Sequence, residues 1–295
     1  MNDGHVKILL AVDASPDSKE AAQLIKHLAE PPDLDVLNVV DLDALKHAYI
    51  SPTMPAGYYE TYRSEVSEVA ERVLHEMRAE LSPHTRQIRL IADSGDAAES
   101  IIQTAEESRS QLIIVGQRGM TASPTFLLGG VSQKVATYAH CSVLVVKGSG
   151  AVLDRVLLAV DGSKEANKAV QFLARAPFKS PLHVSVATVW PTQTATGLGQ
   201  SRRSEHQEDT MGPAQAMGEE LVRTVAAALR EGPYEVEAHC LHGDPAFAIL
   251  DAATRLDANM IVIGARGLKA IKRFLLGSVS QKILVHSSCS VLIVR

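Results

Sequence analysis

The chain has 295 residues, enough for two ordinary domains that each close a core of their own. Its hydrophobic share of 46% fits a globular protein, aromatics are few at 4%, and a formal charge of −5 argues against a nucleic-acid binder, which carries a basic face. No apolar run reaches the roughly 18 residues of a membrane helix. The start "MNDGHVKILLAVDAS" lacks a signal-peptide pattern, and Cys141, Cys240 and Cys289 make no disulfide framework, so the chain reads as cytoplasmic.

In chain order, "HVKILLAV" (5–12) reads as a mostly apolar strand. "SPDSKEAAQLIKHLAE" (15–30) has a capping-type start and apolar residues at helical spacing. "DLDVLNVV" (33–40) is the second strand, and a variable stretch leads into the amphipathic helix "EVSEVAERVLHEMRAEL" (65–81). Then come the strand "TRQIRLIA" (85–92), the helix "DAAESIIQTAEESR" (96–109) and the strand "QLIIVG" (111–116). The helix "GVSQKVATYAH" (130–140) and the strand "CSVLVVK" (141–147) complete the half. Runs such as "LIIVG" and "MIVIG" are apolar on both faces, as parallel strands under two layers of helices must be.

The second half repeats the first at one constant offset of 148 residues. Asp13 matches Asp161, Gly95-Asp96 matches Gly243-Asp244, and Gly116, Gly129, Ser132 and Cys141 match Gly264, Gly277, Ser280 and Cys289. The expected architecture is therefore α/β, with two tandem doubly wound domains at 1–148 and 152–295 joined near "KGSGAVLD". Each is a five-stranded parallel sheet with helices on both faces and right-handed crossovers.

In such sheets ligands sit beyond the C-terminal ends of the strands, where strand order reverses. Directly after strand four, repeat 2 carries "GARGLKAIKRFLLGSVSQ" (264–281) and repeat 1 "GQRGMTASPTFLLGGVSQ" (116–133). Glycines here let the backbone approach a ligand or adopt φ > 0. Gly277-Ser278 opens a helix, so free N–H groups and the positive dipole end face the crevice, with the Ser278 and Ser280 hydroxyls as further donors. Asp161, ending strand one, can hold a ribose hydroxyl, an adenine amino group or a metal riding on phosphates. Gly-x2-Gly-x9-Gly-Ser beside a strand-one Asp is more specific than one GxxG, which often only turns the chain.

At these residues the chain resembles the universal stress protein family in its tandem two-domain form, over nearly its whole length. ATP-binding members carry Gly-x2-Gly-x9-Gly-Ser/Thr. Repeat 2 matches this at Gly264, Gly267, Gly277 and Ser278; repeat 1 matches at Gly116, Gly119 and Gly129 but has Gly130 where Ser or Thr is usual. The resemblance implies ATP as ligand, with magnesium left open as a companion ion. It also implies that Val12-Asp13 and Val160-Asp161 lie near the base, that Val39 and Val189 flank the adenine, and that Arg118 and Arg266 lie near the phosphates. Val131-Ser132 and Val279-Ser280 continue the helix start. In the family the last strands commonly mediate dimerisation, so "SVLVV" and "SVLIV" are expected to join the two domains as an intramolecular pseudo-dimer, with a further homodimer and a protein partner left open.

Other signals carry less. His239-Cys240-x-His242 is weak as a metal cluster, because strand alternation points His239 and Cys240 to opposite faces. Cys141 and Cys289 read as small buried thiols, and Arg202-Arg203 as part of a solvated loop. Lys269, Lys272 and Arg273, where repeat 1 has Thr121, Pro124 and Thr125, either draw a polyphosphate or form a solvated basic turn. No catalytic residue is assigned, since no Glu, His or Lys is plainly set as a base and neither a pyrophosphatase loop nor GxxxxGK[ST] is present. The leading expectation is a regulatory ATP-binding stress-response protein with little turnover. A nucleotide hydrolase-like enzyme, and a scaffold with a degenerate site in repeat 1, are the alternatives.

Overall fold

The computed structural model describes residues 6–40, 58–120, 127–148, 152–175, 177–179, 181–190, 213–268 and 276–295. The basic stretch at Lys269, Lys272 and Arg273, its counterparts Thr121, Pro124 and Thr125, and Arg202-Arg203 lie outside the described residues.

Repeat 1 runs β1 (Lys7–Ala11), α1 (Pro16–Gln23), β2 (Asp33–Val40), α2 (Tyr58–Leu81), β3 (Gln87–Ser94), α3 (Ala97–Glu107), β4 (Leu112–Gly116), α4 (Gly130–Tyr138) and β5 (Ser142–Val146). Repeat 2 runs β6 (Arg155–Ala159), α5 (Lys164–Ala174), β7 (Leu182–Trp190), α6 (Pro213–Arg230), β8 (Tyr234–His242), α7 (Pro245–Arg255), β9 (Met260–Gly264), α8 (Ser278–His286) and β10 (Ser290–Val294). One ten-stranded sheet has the order β3-β2-β1-β4-β5-β10-β9-β6-β7-β8. All pairs within a repeat are parallel. The strand order reverses between β1 and β4 and again between β6 and β9, so a crevice opens beyond the C-terminal ends of each of those pairs.

The expected join of the last strands is present. β5 and β10 pair antiparallel, Val291 opposite Val145, Leu292 opposite Leu144 and Ile293 opposite Val143. The physical cause is plain: both strands are buried throughout, and an unpaired edge of this kind would leave a row of N–H and C=O groups without partners. The core forms two layers that each run across the join. One places Ile8, Leu10, Val36, Leu158 and Val184 against α1, α2, α5 and α6; the other places Leu9, Ile113, Val143, Ile261 and Val291 against α3, α4, α7 and α8.

One element is shorter than its pattern predicts. The helix expected over 15–30 ends at Gln23 and tightens into a 3-10 turn, Leu24–His27. The chain beyond it is held extended by repeat 2: Ala29 N–H donates to Pro177 O at 3.0 Å and Lys179 N–H to His27 O at 2.7 Å, a second bridge between the repeats around buried Phe178.

Candidate functional site

In both crevices the strand-one carboxylate acts first as a clasp. Asp13 Oδ1 accepts from Ser15 N–H at 2.9 Å and from the Ser15 hydroxyl, while Oδ2 accepts from Met120 N–H at 2.9 Å. In repeat 2, Asp161 Oδ1 accepts from Ser163 N–H at 3.0 Å and Oδ2 from Leu268 N–H at 3.2 Å. Each carboxylate thus ties the start of a first-turn helix to the glycine loop beyond strand four. An oxygen that accepts one such bond retains a second acceptor site, so the clasp and a ligand contact are compatible.

The glycines answer to chain-on-chain contact rather than to positive φ. A Cβ on Gly116 would lie 2.7 Å from the carbonyl group of Asp17, and one on Gly264 would lie 2.7 Å from the carbonyl carbon of Glu165, where the first turn of α1 or α5 crosses the strand end. A Cβ on Gly119 would meet Asp13 Oδ2 at 2.6 Å, and one on Gly267 would meet Asp161 Oδ2 at 2.5 Å. Gly129 and Gly277 close the loop on its own beginning. Gly129 N–H donates to Gln117 O at 3.0 Å and Gly277 N–H to Ala265 O at 2.8 Å, and a Cβ would sit 3.3 Å from the Cα of Arg118 or Arg266. Both have ordinary φ, −71° and −67°. The positive-φ glycines that precede a described helix are instead Gly95, Gly162 and Gly243, each beside the N-cap residue of α3, α5 or α7.

One expected role changes. The Ser280 hydroxyl, expected as a donor facing the crevice, points inward and donates to Gly264 O at 2.8 Å, and Ser132 likewise donates to Gly116 O at 2.6 Å. They lock the site helices onto the strand ends. Arg118 and Arg266 are each held by an acid of the first-turn helix: Arg118 Nε lies 3.3 Å from Asp17 Oδ2, and Arg266 Nη2 lies 3.5 Å from Glu165 Oε1. The backbone of Val12 is engaged at both ends, N–H to Leu37 O at 2.8 Å and C=O from buried Asn38 Nδ2 at 2.8 Å; Val160 N–H donates to Ala187 O at 2.8 Å. The partners Ser15, Ser163, Asp17 and Glu165 escaped the sequence reading. Their signal was available: the Asp17/Glu165 pair keeps an acid at the 148-residue offset beside a loop that keeps an arginine.

The helices at the crevices differ from their neighbours at one end. Ser15, Asp96, Ser163 and Asp244 each cap α1, α3, α5 and α7 by accepting a backbone N–H. The N-caps of α4 and α8, Gly129 and Gly277, supply no side-chain cap. At the next position Gly130 and Ser278 are exposed, and a Cβ on Gly130 would meet nothing within 4 Å. In repeat 1 the crevice closes on a cavity of about 110 Å³ whose apolar wall includes Val12, Leu37, Val39, Ile101, Val115 and Val131. That is below the roughly 300–1,000 Å³ of a pocket that swallows a whole ligand.

His239 lies 3.4 Å from Glu237 Oε2, Cys240 Sγ faces Gln215 O at 3.8 Å, and the His242 ring stands edge-on to Trp190. Burial raises the Cys141 thiol to about 11 and also raises Cys289.

Two copies of a doubly wound α/β unit, each with a glycine loop and an uncapped helix at the switch point, define the class. The universal stress protein family model matches residues 5–147 and again 153–295, and the chain belongs to that family. A universal stress protein of Mycolicibacterium smegmatis is 27% identical over 98% of this chain and 96% of its own length. Universal stress protein YxiE of Bacillus subtilis is 31% identical over 145 residues, 48% of this chain and 98% of its own. Among solved structures, a universal stress protein from Archaeoglobus fulgidus superposes with a TM-score of 0.66 at 25% identity, covering 98% of both chains.

Proposed function

We propose that the chain is an ATP-binding regulatory protein of the stress response, acting in the cytoplasm with little or no turnover. The base lies against Val39 or Val189 beside Val12-Asp13 or Val160-Asp161, and the phosphates lie over the N-terminus of α4 or α8. The glycine loops Gly116–Gly119 and Gly264–Gly267 close beneath them, with Val131 and Val279 beside the helix start. The observation that carries this reading is the missing cap. Helix N-termini leave N–H groups that need partners, and α1, α3, α5 and α7 supply their own while α4 and α8 do not. An anion placed there would satisfy those donors and meet the positive end of the dipole. Magnesium, if it accompanies the nucleotide, has the second acceptor sites of Asp13 and Asp161 and the Ser278 hydroxyl within the same crevices as oxygen ligands.

Arg118 and Arg266 fit as supports, since each already neutralises an acid of its own repeat. A reading of repeat 1 as a scaffold that has lost the ligand is favoured by Gly130, which removes one hydroxyl. The test is nucleotide content of the purified protein, then ATP titration beside a turnover assay. Two equivalents bound with negligible turnover supports the proposal for both repeats. Brisk turnover favours an enzyme; one equivalent assigns repeat 1 to the scaffold reading; none overturns ATP as the ligand.

A further inference from the structure

The last strand of each repeat ends in a cation that reaches into the other repeat. Lys147, following β5 and only 4% exposed, donates from Nζ to Leu284 O at 2.7 Å, Ser287 O at 2.8 Å and Val285 O at 3.4 Å. These are carbonyls at the C-terminal end of α8. Arg295, the residue 148 positions later, follows β10 and donates from Nη2 to Ala136 O at 2.7 Å and Thr137 O at 3.1 Å, and from Nη1 to Cys141 O at 3.4 Å. The carbonyls of Ala136 and Thr137 lie at the end of α4, and that of Cys141 directly before β5. The last carbonyls of a helix have no partner within it, and a cation there satisfies them and the negative end of the dipole.

α4 and α8 are also the two helices whose N-termini open on the crevices. Each has nine residues, so its two ends are only about 13 Å apart along one stiff rod. Its N-terminus is fixed by its own repeat, through Ser132 on Gly116 or Ser280 on Gly264, and its C-terminus by the other repeat.

We infer that Lys147 and Arg295 are positioning residues that act across the repeat boundary: Lys147 of repeat 1 sets the helix of the repeat 2 site, and Arg295 of repeat 2 sets that of repeat 1. The inference rests on the proposed reading of those helix ends as the phosphate site. The effect is crossed, which separates it from a general loss of stability. Removing the cation from one repeat impairs binding in the other.

The test uses the full chain with Lys147→Met, Lys147→Arg, Arg295→Met and Arg295→Lys, each confirmed folded by circular dichroism. ATP is titrated calorimetrically. Trp190, the single tryptophan and the residue after Val189, reports repeat 2 by fluorescence. Lys147→Met is expected to weaken the repeat 2 site about tenfold and leave repeat 1 within twofold, with Lys147→Arg restoring most of the loss and Arg295→Met giving the mirror image. Equal weakening of both sites, or of neither, overturns the inference. If the wild-type chain takes up no ATP, the nucleotide reading fails and amide hydrogen exchange decides positioning alone. Lys147→Met that speeds exchange in α8 but not in α4 supports positioning; uniform change, or none, overturns it.

Discussion

The two crevices share a plan and differ in how much of their polarity each spends on itself. In repeat 1, Ser18 bonds the backbone of Asp13 at both ends, N–H to Oγ at 3.1 Å and Oγ to C=O at 2.7 Å, and the Ser15 hydroxyl adds a bond to the carboxylate. In repeat 2, the position of Ser18 is Ala166, which has no hydroxyl, and Asp161 is exposed where Asp13 is half-buried. Ser278 then adds an exposed hydroxyl where repeat 1 has Gly130. Repeat 1 is the tighter internal fit and repeat 2 the more open donor and acceptor set. A duplicated site can therefore keep its framework, the glycines and the inward serine, while one copy turns its remaining polar groups inward.

The largest expected effect tests what the copies have in common. Gly264→Ala and Gly116→Ala each force a Cβ into backbone of the first-turn helix, so each should lower stability by about 3 kcal/mol, the upper end for overpacking. Urea denaturation checks this. Losses that differ strongly between the two would show that the frameworks are not equivalent.

Next comes the contrast between the cross-repeat cations. Burial lowers the pKa of Lys147 from 10.5 to about 8, whereas Arg at that position stays charged. Between about pH 8 and 10.5 the unfolded chain binds the proton that the folded chain has released, so stability rises with pH across that window. Wild type should gain on Lys147→Arg by up to about 3 kcal/mol as pH rises through it, and the gain should disappear as pH falls below about 8. Paired denaturation curves at pH 7, 9 and 10.5 measure this. A constant difference would mean that Lys147 does not titrate there.

For the carboxylates, Asp161→Ala should weaken ATP binding in repeat 2 by tenfold or more, about 2 kcal/mol for a charge-assisted bond. Asp13→Ala should lower total binding less. Calorimetry that returns equal losses would erase the difference in openness between the crevices. The smallest effect is a repair. Gly130→Ser should raise repeat 1 affinity by severalfold, about 1 kcal/mol for one hydrogen bond, with stability nearly unchanged because the added Cβ enters open space. A Gly130→Ser protein that binds no better would place the weakness of repeat 1 in the Ser18 network instead.

Much of this was legible from residues alone. The constant offset exposed the duplication, the doubly apolar runs marked the parallel strands, and the Asp13 and Asp161 positions with their glycine spacing located both crevices. These signals are periodic or repeated, and a linear chain displays them directly. What the glycines approach, where the Ser132 and Ser280 hydroxyls turn, and which carbonyls Lys147 and Arg295 reach were settled by folding. The same holds for the bridge at Leu28 and Phe178, which shortens α1. Each of these contacts has a backbone group on at least one side, and a carbonyl, an N–H or a bare glycine backbone carries no side-chain identity for a sequence pattern to register.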